Sequence, residues 1–283
     1  MSGFFYLTDN FLKVRRNGPG QITTQYTFTG LVSNREHEAD VLVRARRGGC
    51  ACWTVGSSLA LPPSALSAPP LVSIVVPALN EVGGIGAALV SVARQSRPYE
   101  ILVAVGDSDD GTAEAAQRTM PEARVVCGDR GRARQMNDGA APATGDLLLF
   151  LHADTRLPPG ALDVLRDAMA PPTVAGGCFR TAFDLDPGRD GFSRLGRAFM
   201  QLWESRLWMQ WHRFAFGDRA LFVRRRVFEA MGGFPDQPIF EDLDAVRAMR
   251  QHGRFVFLDA EVITSARRFR DFGAVRQQLR NLA

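Results

Sequence analysis

The chain has 283 residues, of which 46% are hydrophobic, 23% charged and 9% aromatic. This apolar fraction excludes a chain that is disordered throughout, and no apolar run approaches the roughly 20 residues of a membrane-spanning helix. Residues 1–70 carry seven basic and four acidic side chains, so they hold +3 of the net charge of +4. The rest is nearly neutral, which excludes a broad surface for the phosphate backbone of nucleic acids.

Residues 1–70 differ in composition from the remainder of the chain. They show no clear helical or strand period, and residues 61–70 (LPPSALSAPP) have the composition of a linker. We therefore predict two parts. The first is an N-terminal extension over residues 1–70, either poorly ordered or the product of a misassigned start, and the second is a domain over residues 71–283.

The four cysteines are spaced neither as a disulfide framework nor as a zinc ribbon. They are Cys50, Cys52, Cys127 and Cys178. Because reduced thiols are typical of reducing compartments, this pattern predicts a cytoplasmic protein. Peripheral contact with the inner face of the cell membrane stays open, through an Arg-rich start or a Trp-rich helix.

From residue 71 onward, short apolar strands alternate with amphipathic helices. Residues 71–78 (LVSIVVPA) are a β-branched run that predicts a buried strand. Residues 146–151 (DLLLFL) predict a strand that is apolar on both faces, as in the middle of a parallel sheet. Asp109 and Asp110 are predicted helix N-caps. Between the two strands the pattern predicts further strands over 100–105 and 124–127 and helices over 85–95, 112–119 and 132–140.

This order of elements predicts an α/β fold with a doubly wound, mainly parallel sheet and helices on both faces. Ligands of such sheets bind beyond the carboxyl ends of the strands, so chemistry is expected in the loops after Ala78, Val105 and Leu151. The second half of the chain is less regular. It predicts strands over 177–185, 221–224 and 254–258 and helices over 192–211, 226–231, 241–251 and 274–282.

His152 and Asp154 directly follow the predicted central strand. In an extended chain alternate side chains point the same way, so we expect the two to project together from the strand end. A carboxylate at that place suits a hard divalent cation that phosphate oxygens also hold. The alternative is that Asp154 only starts the turn over residues 155–160.

Basic side chains open the helix predicted after residue 130. Arg130, Arg134 and Asn137 are spaced to share one helical face. Positive charge in a first helical turn opposes the helix dipole, and a bound diphosphate would reverse that unfavourable placement. The alternative is a solvated basic face.

Two further groups have both a functional and a structural interpretation. Glu241 and Asp242 precede an amphipathic helix, where acids stabilise the dipole, but a carboxylate there could also act as a general base on a hydroxyl. Trp211 lies in an aromatic stretch over residues 199–216, with a stripe typical of a helix packed in the core. Such rings also form platforms for a sugar or a lipid.

Taken together, six strings resemble glycosyltransferase family 2, whose members are inverting enzymes with a GT-A fold. The resemblance covers residues 71 to about 268. Two of the strings, RGRARQMN and LFLHADT, are similar to a bacterial subgroup, the selenodomain-associated transferases. The six strings are VSIVVPALNE (72–81), GDSDDGT (106–112), RGRARQMNDGA (130–140), GDLLLFLHADT (145–155), GDRALFVRRRVFEAMGGFP (217–235) and FED (240–242).

The resemblance implies roles for residues that match the family's motifs on the donor side. Arg130, Arg134 and Asn137 would lie near the donor phosphates or ribose. Asp107 stands one residue later than the family's base-binding acid and would take its place. The nucleoside pocket would be lined by Pro77, Ala78, Asn80 and Glu81.

The resemblance also implies a metal and an acceptor side. His152, Ala153 and Asp154 stand where the family carries a metal-binding Asp-x-Asp, so Asp154, with His152 in place of the first acid, would hold Mg²⁺ or Mn²⁺. Asp242 would be the general base. The acceptor side would include Trp211, Gly217, Asp218 and Glu241.

The predicted function is therefore a hexosyltransferase-like reaction, in which a sugar passes from a UDP- or GDP-sugar to a hydroxyl of a small molecule, lipid or glycan, with inversion. Two alternatives remain. One is a protein that binds nucleotide sugars without turnover. The other is a sugar nucleotidyltransferase, which the loop over residues 78–86 (ALNEVGGIG) disfavours because it contains neither Lys nor Arg.

Overall fold

A computed structural model of the chain describes residues 68–184, 219–237 and 239–267, together with the backbone of four short strands nearer the N-terminus. The chain divides into two units, residues 1–67 and 68–283. In the first unit, β1 (Lys13–Arg16) pairs antiparallel with β2 (Ile22–Gln25), and β3 (Leu42–Arg47) pairs antiparallel with β4 (Cys50–Val55). The sequence did not predict these strands, because their short segments show no sustained alternation.

The second unit is built on one eight-stranded sheet with the order β7-β6-β5-β8-β11-β10-β12-β9. The four strands β7, β6, β5 and β8 are mutually parallel, β10 and β12 form a further parallel pair, and the other neighbours are antiparallel. The predicted mainly parallel, doubly wound α/β sheet is confirmed. Its strands are β5 (Val72–Ala78), β6 (Tyr99–Gly106), β7 (Arg124–Gly128), β8 (Leu147–Phe150), β9 (Thr155–Arg156), β10 (Val174–Asp184), β11 (Leu221–Arg224) and β12 (Arg254–Ser265).

Helices cover both faces of this sheet because its central strands are apolar on both sides. Every residue of β5 and β8 is buried. On β5, Ile74 packs in one core cluster with α1, α2 and α4, whereas its neighbour Val75 packs in the other with α3, α5 and α6. The helices are α1 (Ile85–Ala93), α2 (Thr112–Thr119), α3 (Arg132–Ala140), α4 (Ala161–Met169), α5 (Arg225–Ala230) and α6 (Glu241–His252).

Several element predictions need correction. Helix α4 was not predicted, although Leu162, Leu165 and Met169 give it a buried stripe at helical spacing. Strand β12 continues seven residues beyond its predicted end, since β10 and β9 pair with that extension. The N-cap of α2 is Gly111 and not an aspartate. The helices predicted over 192–211 and 274–282 lie outside the described residues.

Helix α3 lies unusually close to the sheet. A Cβ on Gly139 would lie 2.5 Å from Val75 Cγ1 and 3.2 Å from Ala104 Cβ, so only glycine permits this approach.

Among the described residues, Cys127 and Cys178 are free thiols, and burial raises the pKa of Cys178 to about 12. No helix in the described ranges combines the length and apolarity needed to cross a bilayer.

Candidate active site

Three segments that are distant in sequence meet in a small cleft at the carboxyl rim of the sheet, the edge where the parallel strands end. They are the start of α3, the residues after β8 and the start of α6. Strand β11 completes the wall, because it runs antiparallel to β8 and begins at this rim. The described residues that line the cleft are Arg132, Met136, Phe150, His152, Leu221, Glu241 and Asp242.

Gln135 fixes the start of α3 at this rim. Its buried Nε2 donates hydrogen bonds to the carbonyl oxygens of Ala78, at 2.6 Å, and Ala104, at 3.2 Å, near the ends of β5 and β6. Gly106 leaves room for this side chain, since a Cβ there would lie 2.8 Å from the Gln135 amide. The first backbone N–H groups of α3 are therefore held where doubly wound sheets bind ligands.

Arg132 is the basic side chain that reaches the cleft, and the sequence motifs did not single it out. Its Nε donates to Glu241 Oε1, and its terminal nitrogen lies 3.9 Å from Asp242 Oδ2. The helical spacing could have identified it, because Arg132 and the buried Met136 are four residues apart and share the inward face of α3.

The two acids are buried at the start of α6. Glu241 is 1% exposed and Asp242 5% exposed. The backbone N–H of Leu243 donates to Asp242 Oδ1 at 2.8 Å, which orients that carboxylate. Stabilisation of the helix dipole does not require burial, so the dipole interpretation alone does not account for these two acids.

His152 and Asp154 do not project together from an extended strand. Strand β8 ends at Phe150, and the N–H of Thr155 donates to the carbonyl of His152 at 3.0 Å, which closes a turn. As a result His152 lines the cleft, whereas Ala153 is buried in the core. Asp154 is partly exposed beside the cleft, and Thr155 Oγ1 lies 3.4 Å from its Oδ1.

The loops after β5 and β6 are joined by hydrogen bonds. The N–H of Asn80 donates to Ser108 Oγ at 3.1 Å, and Asn80 Oδ1 accepts from the N–H of Asp109 at 3.2 Å. The N–H of Val82 donates to Asp110 Oδ2 at 3.0 Å. Residues 107–110 (DSDD) thus hold the loop after β5, which the resemblance assigned to the nucleoside pocket.

The other residues predicted for the nucleoside pocket lie in the same region. Pro77 and Ala78 are buried in β5. Glu81 Oε1 accepts from Arg267 at 2.6 Å, so the segment after β12 reaches this loop as well. A Cβ on Gly84 would lie 3.2 Å from the carbonyl oxygen of Ala153, which shows how closely this loop packs on the segment after β8.

Arg130, Arg134 and Asn137 do not share a helical face, because α3 begins at Arg132. Arg130 precedes the helix and pairs with Asp107 at 3.1 Å on the surface of the rim. Arg134 pairs with Asp236 at 2.8 Å. Asn137 donates to the carbonyl of Phe234 at 2.8 Å and accepts from its N–H at 2.9 Å, a structural anchor.

Backbone strain is concentrated at this rim. The described non-glycine residues with positive φ are Asn80, Asp107, Ala220 and Phe240, with φ between 43° and 64°. They lie after β5, after β6, before β11 and before α6, and the last two adjoin residues that line the cleft. Such conformations cost about 1–3 kcal/mol each and cluster at functional sites.

The predicted acceptor-side residues Trp211, Gly217 and Asp218 lie outside the described residues.

Comparisons with known proteins agree with this architecture. The family model described as glycosyl transferase family 2 matches residues 73–231. A curated relative, uncharacterized protein MT1568 of Mycobacterium tuberculosis (strain CDC 1551 / Oshkosh), is 36% identical over 111 residues, which are 38% of this chain and 35% of the relative. The chain thus spans about a third of the length of that relative.

Two solved structures share the fold. The mannosyltransferase PcManGT from Pyrobaculum calidifontis, in complex with GDP-Man and Mn2+, has a TM-score of 0.54 at 21% identity, over 76% of this chain and 65% of that one. S. aureus TarS 1-349 in complex with UDP has a TM-score of 0.51 at 20% identity, over 69% and 60%. They confirm the predicted GT-A type of fold. Because the family match covers more than half of the chain, the chain belongs to glycosyl transferase family 2, as its motifs and predicted enzyme class indicated.

Proposed function

We propose that this chain transfers a sugar from a UDP- or GDP-sugar to a hydroxyl of an acceptor, with inversion at the anomeric carbon. One observation carries the proposal. A guanidinium at a helix N-terminus, Arg132, and a buried carboxylate, Asp242, face each other across 3.9 Å at the ligand-binding rim of the sheet. Transfer of this kind needs a cation for the leaving diphosphate and a base for the attacking hydroxyl.

The start of α3 suits the donor diphosphate. The backbone N–H groups of its first turn and the Arg132 guanidinium, whose side chain is 37% exposed, can both donate to phosphate oxygens. The exposed Arg130 and Arg134 add positive charge at the same end of the helix. The relatives with similar folds support such a donor, since PcManGT is bound to GDP-Man and TarS to UDP.

The nucleoside would lie over the loops that follow β5 and β6. Asn80 and Asp107 hold positive φ there, and the exposed Asp107 can accept hydrogen bonds from a base once Arg130 turns to the phosphates. The acceptor remains a prediction: a small molecule, a lipid or a glycan. We expect the reaction to take place in the cytoplasm.

A divalent metal fits this site only together with the donor. No group of three or more His, Cys, Asp and Glu side chains suited to a metal is found in the described ranges. His152 and Asp154 would supply one nitrogen and one carboxylate, and Mg²⁺ or Mn²⁺ commonly takes its other ligands from phosphate oxygens and water. When bound, the ion would neutralise charge on the leaving diphosphate.

Asp242 acts as the base in this proposal. Its Oδ1 is oriented by the Leu243 N–H, and Oδ2 takes the proton of the acceptor hydroxyl. The acceptor oxygen attacks the anomeric carbon as the bond to the diphosphate breaks on the opposite face, so one displacement inverts the centre. Arg132 stabilises the negative charge that develops on the leaving group.

The test compares Asp242→Asn with Asp244→Asn, the half-exposed acid two residues later in the same helical turn. Asp244 bonds Gln237 and Arg247 outside the cleft. With hydrolysis of a UDP- or GDP-sugar as the readout, we expect Asp242→Asn to lower turnover about 10²- to 10⁴-fold. Donor binding measured by calorimetry should stay near the wild-type value, and Asp244→Asn should behave as wild type.

Undiminished turnover in Asp242→Asn would remove the assigned base. A wild-type chain that binds nucleotide sugars but never turns them over would favour the binding-protein alternative instead. Release of inorganic diphosphate from a nucleoside triphosphate and a sugar phosphate would identify a nucleotidyltransferase.

A further inference from the structure

Glu241 is the most deeply buried charged side chain in the cleft, and its two oxygens differ in their partners. Oε1 accepts a hydrogen bond from Arg132. Oε2 is buried and accepts no hydrogen bond within the part of the chain that the structure describes. A carboxylate oxygen can only accept, and buried acceptors without a donor are rare in native proteins because they cost folding free energy. Such an oxygen in a substrate cleft therefore indicates a missing ligand group.

The surroundings of Glu241 indicate where that donor comes from. Met136, Phe150 and Leu221 form the apolar part of the cleft wall and offer no hydrogen-bond donor from their side chains. Arg132 and His152 line the cleft as well, and neither donates to Oε2. Glu241 itself lines the cleft, so its carboxylate borders the space that a substrate would occupy. A hydroxyl of a bound molecule can then supply the hydrogen bond.

We infer that Glu241 accepts a hydrogen bond from a ring hydroxyl of the transferred sugar and thereby selects the sugar of the donor. The inference rests on the proposed function. Glu241 bonds directly to Arg132, at the helix end proposed for the diphosphate, whereas Asp242 lies farther from that guanidinium. The group attached to the diphosphate is the sugar, so its hydroxyls come nearest to Glu241. This moves Glu241 from the predicted acceptor side to the donor side.

The experiment compares Glu241→Gln with wild type by calorimetry, without an acceptor. Gln keeps the size of the side chain but replaces one acceptor oxygen by a donor. The probes are UDP and GDP alone, a panel of UDP- and GDP-hexoses, and monodeoxy forms of the hexose that binds best. We expect Glu241→Gln to weaken that sugar nucleotide about 10- to 100-fold while the free nucleotide changes less than about threefold.

One monodeoxy sugar should bind wild type as weakly as the intact sugar binds Glu241→Gln, and the variant should not distinguish the two. Asp244→Asn is the matched control and should leave all affinities unchanged. Equal losses for free nucleotide and sugar nucleotide would show that Glu241 only supports Arg132, and would overturn the inference. So would an unchanged affinity of Glu241→Gln for every sugar nucleotide in the panel.

Failure of the proposed function is distinguishable from these outcomes. In that case the wild-type chain would bind neither UDP nor GDP. A variant that does not fold is recognised by its thermal unfolding, and Glu241→Asp then replaces it. Asp keeps the charge but shortens the reach, so the same selective loss of sugar affinity is expected.

Discussion

The two rims of the parallel sheet are built in opposite ways. At the amino rim, where the parallel strands begin, polar groups are buried and bonded. Arg166 of α4 is 8% exposed and donates to the carbonyl oxygens of Pro70, Ser96 and Pro98. Glu100 accepts hydrogen bonds from Ser73, Thr144 and Gly145. These contacts join the segments that precede β5, β6 and β8.

The carboxyl rim, where the same strands end, keeps strain and an unsatisfied oxygen. Its loops hold non-glycine residues at positive φ, such as Asn80 and Asp107. Glu241 Oε2 has no donor there within the described residues. The amino rim therefore contributes to folding stability. The carboxyl rim retains a cost in folding free energy that a bound nucleotide sugar would offset.

The largest effect is expected at the amino rim. Arg166→Leu should lower the free energy of unfolding by about 2–4 kcal/mol, because three carbonyl groups lose a charged donor inside the protein. Denaturant titration measures this. Arg97→Leu is the control on the same rim, since its ion pair with Glu122 is exposed and should contribute less than about 1 kcal/mol.

Nucleotide affinity of folded Arg166→Leu should equal that of wild type. A loss of affinity with no loss of stability would reverse the proposed division between the two rims.

A smaller effect is expected for Glu100, and it depends on pH. Burial raises the pKa of this carboxyl, but hydrogen bonds from Ser73, Thr144 and Gly145 outweigh that and bring the pKa below 4.5. A lowered carboxyl pKa means that its stabilisation is complete above the unfolded-state pKa and is lost as pH falls through the folded-state value. Glu100→Gln should therefore lose roughly 1–2 kcal/mol at pH 7.

That difference between wild type and Glu100→Gln should shrink as the pH is lowered below about 4.5. Denaturation midpoints measured from pH 7 down to pH 3 test this. A difference that stays constant over the range would show that the hydrogen bonds do not depend on the charge of Glu100.

The smallest effect on stability is expected at the carboxyl rim, in the loop after β6. A hydrogen bond from the Thr112 hydroxyl, then one from the Val82 N–H, lower the pKa of Asp110. Asp110→Ala releases the loop after β5, so the KM for the donor should rise several-fold while the unfolding midpoint falls only slightly. Asp109→Ala is the control, because Asp109 is bonded to that loop through its backbone N–H, which the substitution keeps. A change in the unfolding midpoint alone would contradict this role.

Much of the fold could be predicted because its strands follow simple patterns. Strands β5 and β8 are continuous apolar runs, and α2, α3 and β11 have their predicted bounds. Helix α4 was not predicted because Pro158 and Gly160 before it are residues typical of a turn. The pairing of β10 with β11 and β12 depends on contacts between distant segments, which no local pattern encodes.

The candidate site could be predicted by segment but less well by side chain. The three predicted segments do meet, yet Arg132 and not Arg134 enters the cleft, since two positions along a helix turn a side chain to the other side. The turn at His152 replaced the expected extended chain. Burial of Glu241 and Asp242 is a tertiary property that the residues near them in sequence do not show.

A crystal structure of the chain with Mn²⁺ and whichever of UDP or GDP stabilises it more would test most directly whether the donor binds in the cleft at the carboxyl rim. We expect the diphosphate at the start of α3, within hydrogen-bond distance of Arg132, with Asp242 across the cleft and the nucleoside over the loops at Asn80 and Asp107. A nucleotide bound at the amino rim, or anywhere that leaves the cleft empty, would contradict this placement.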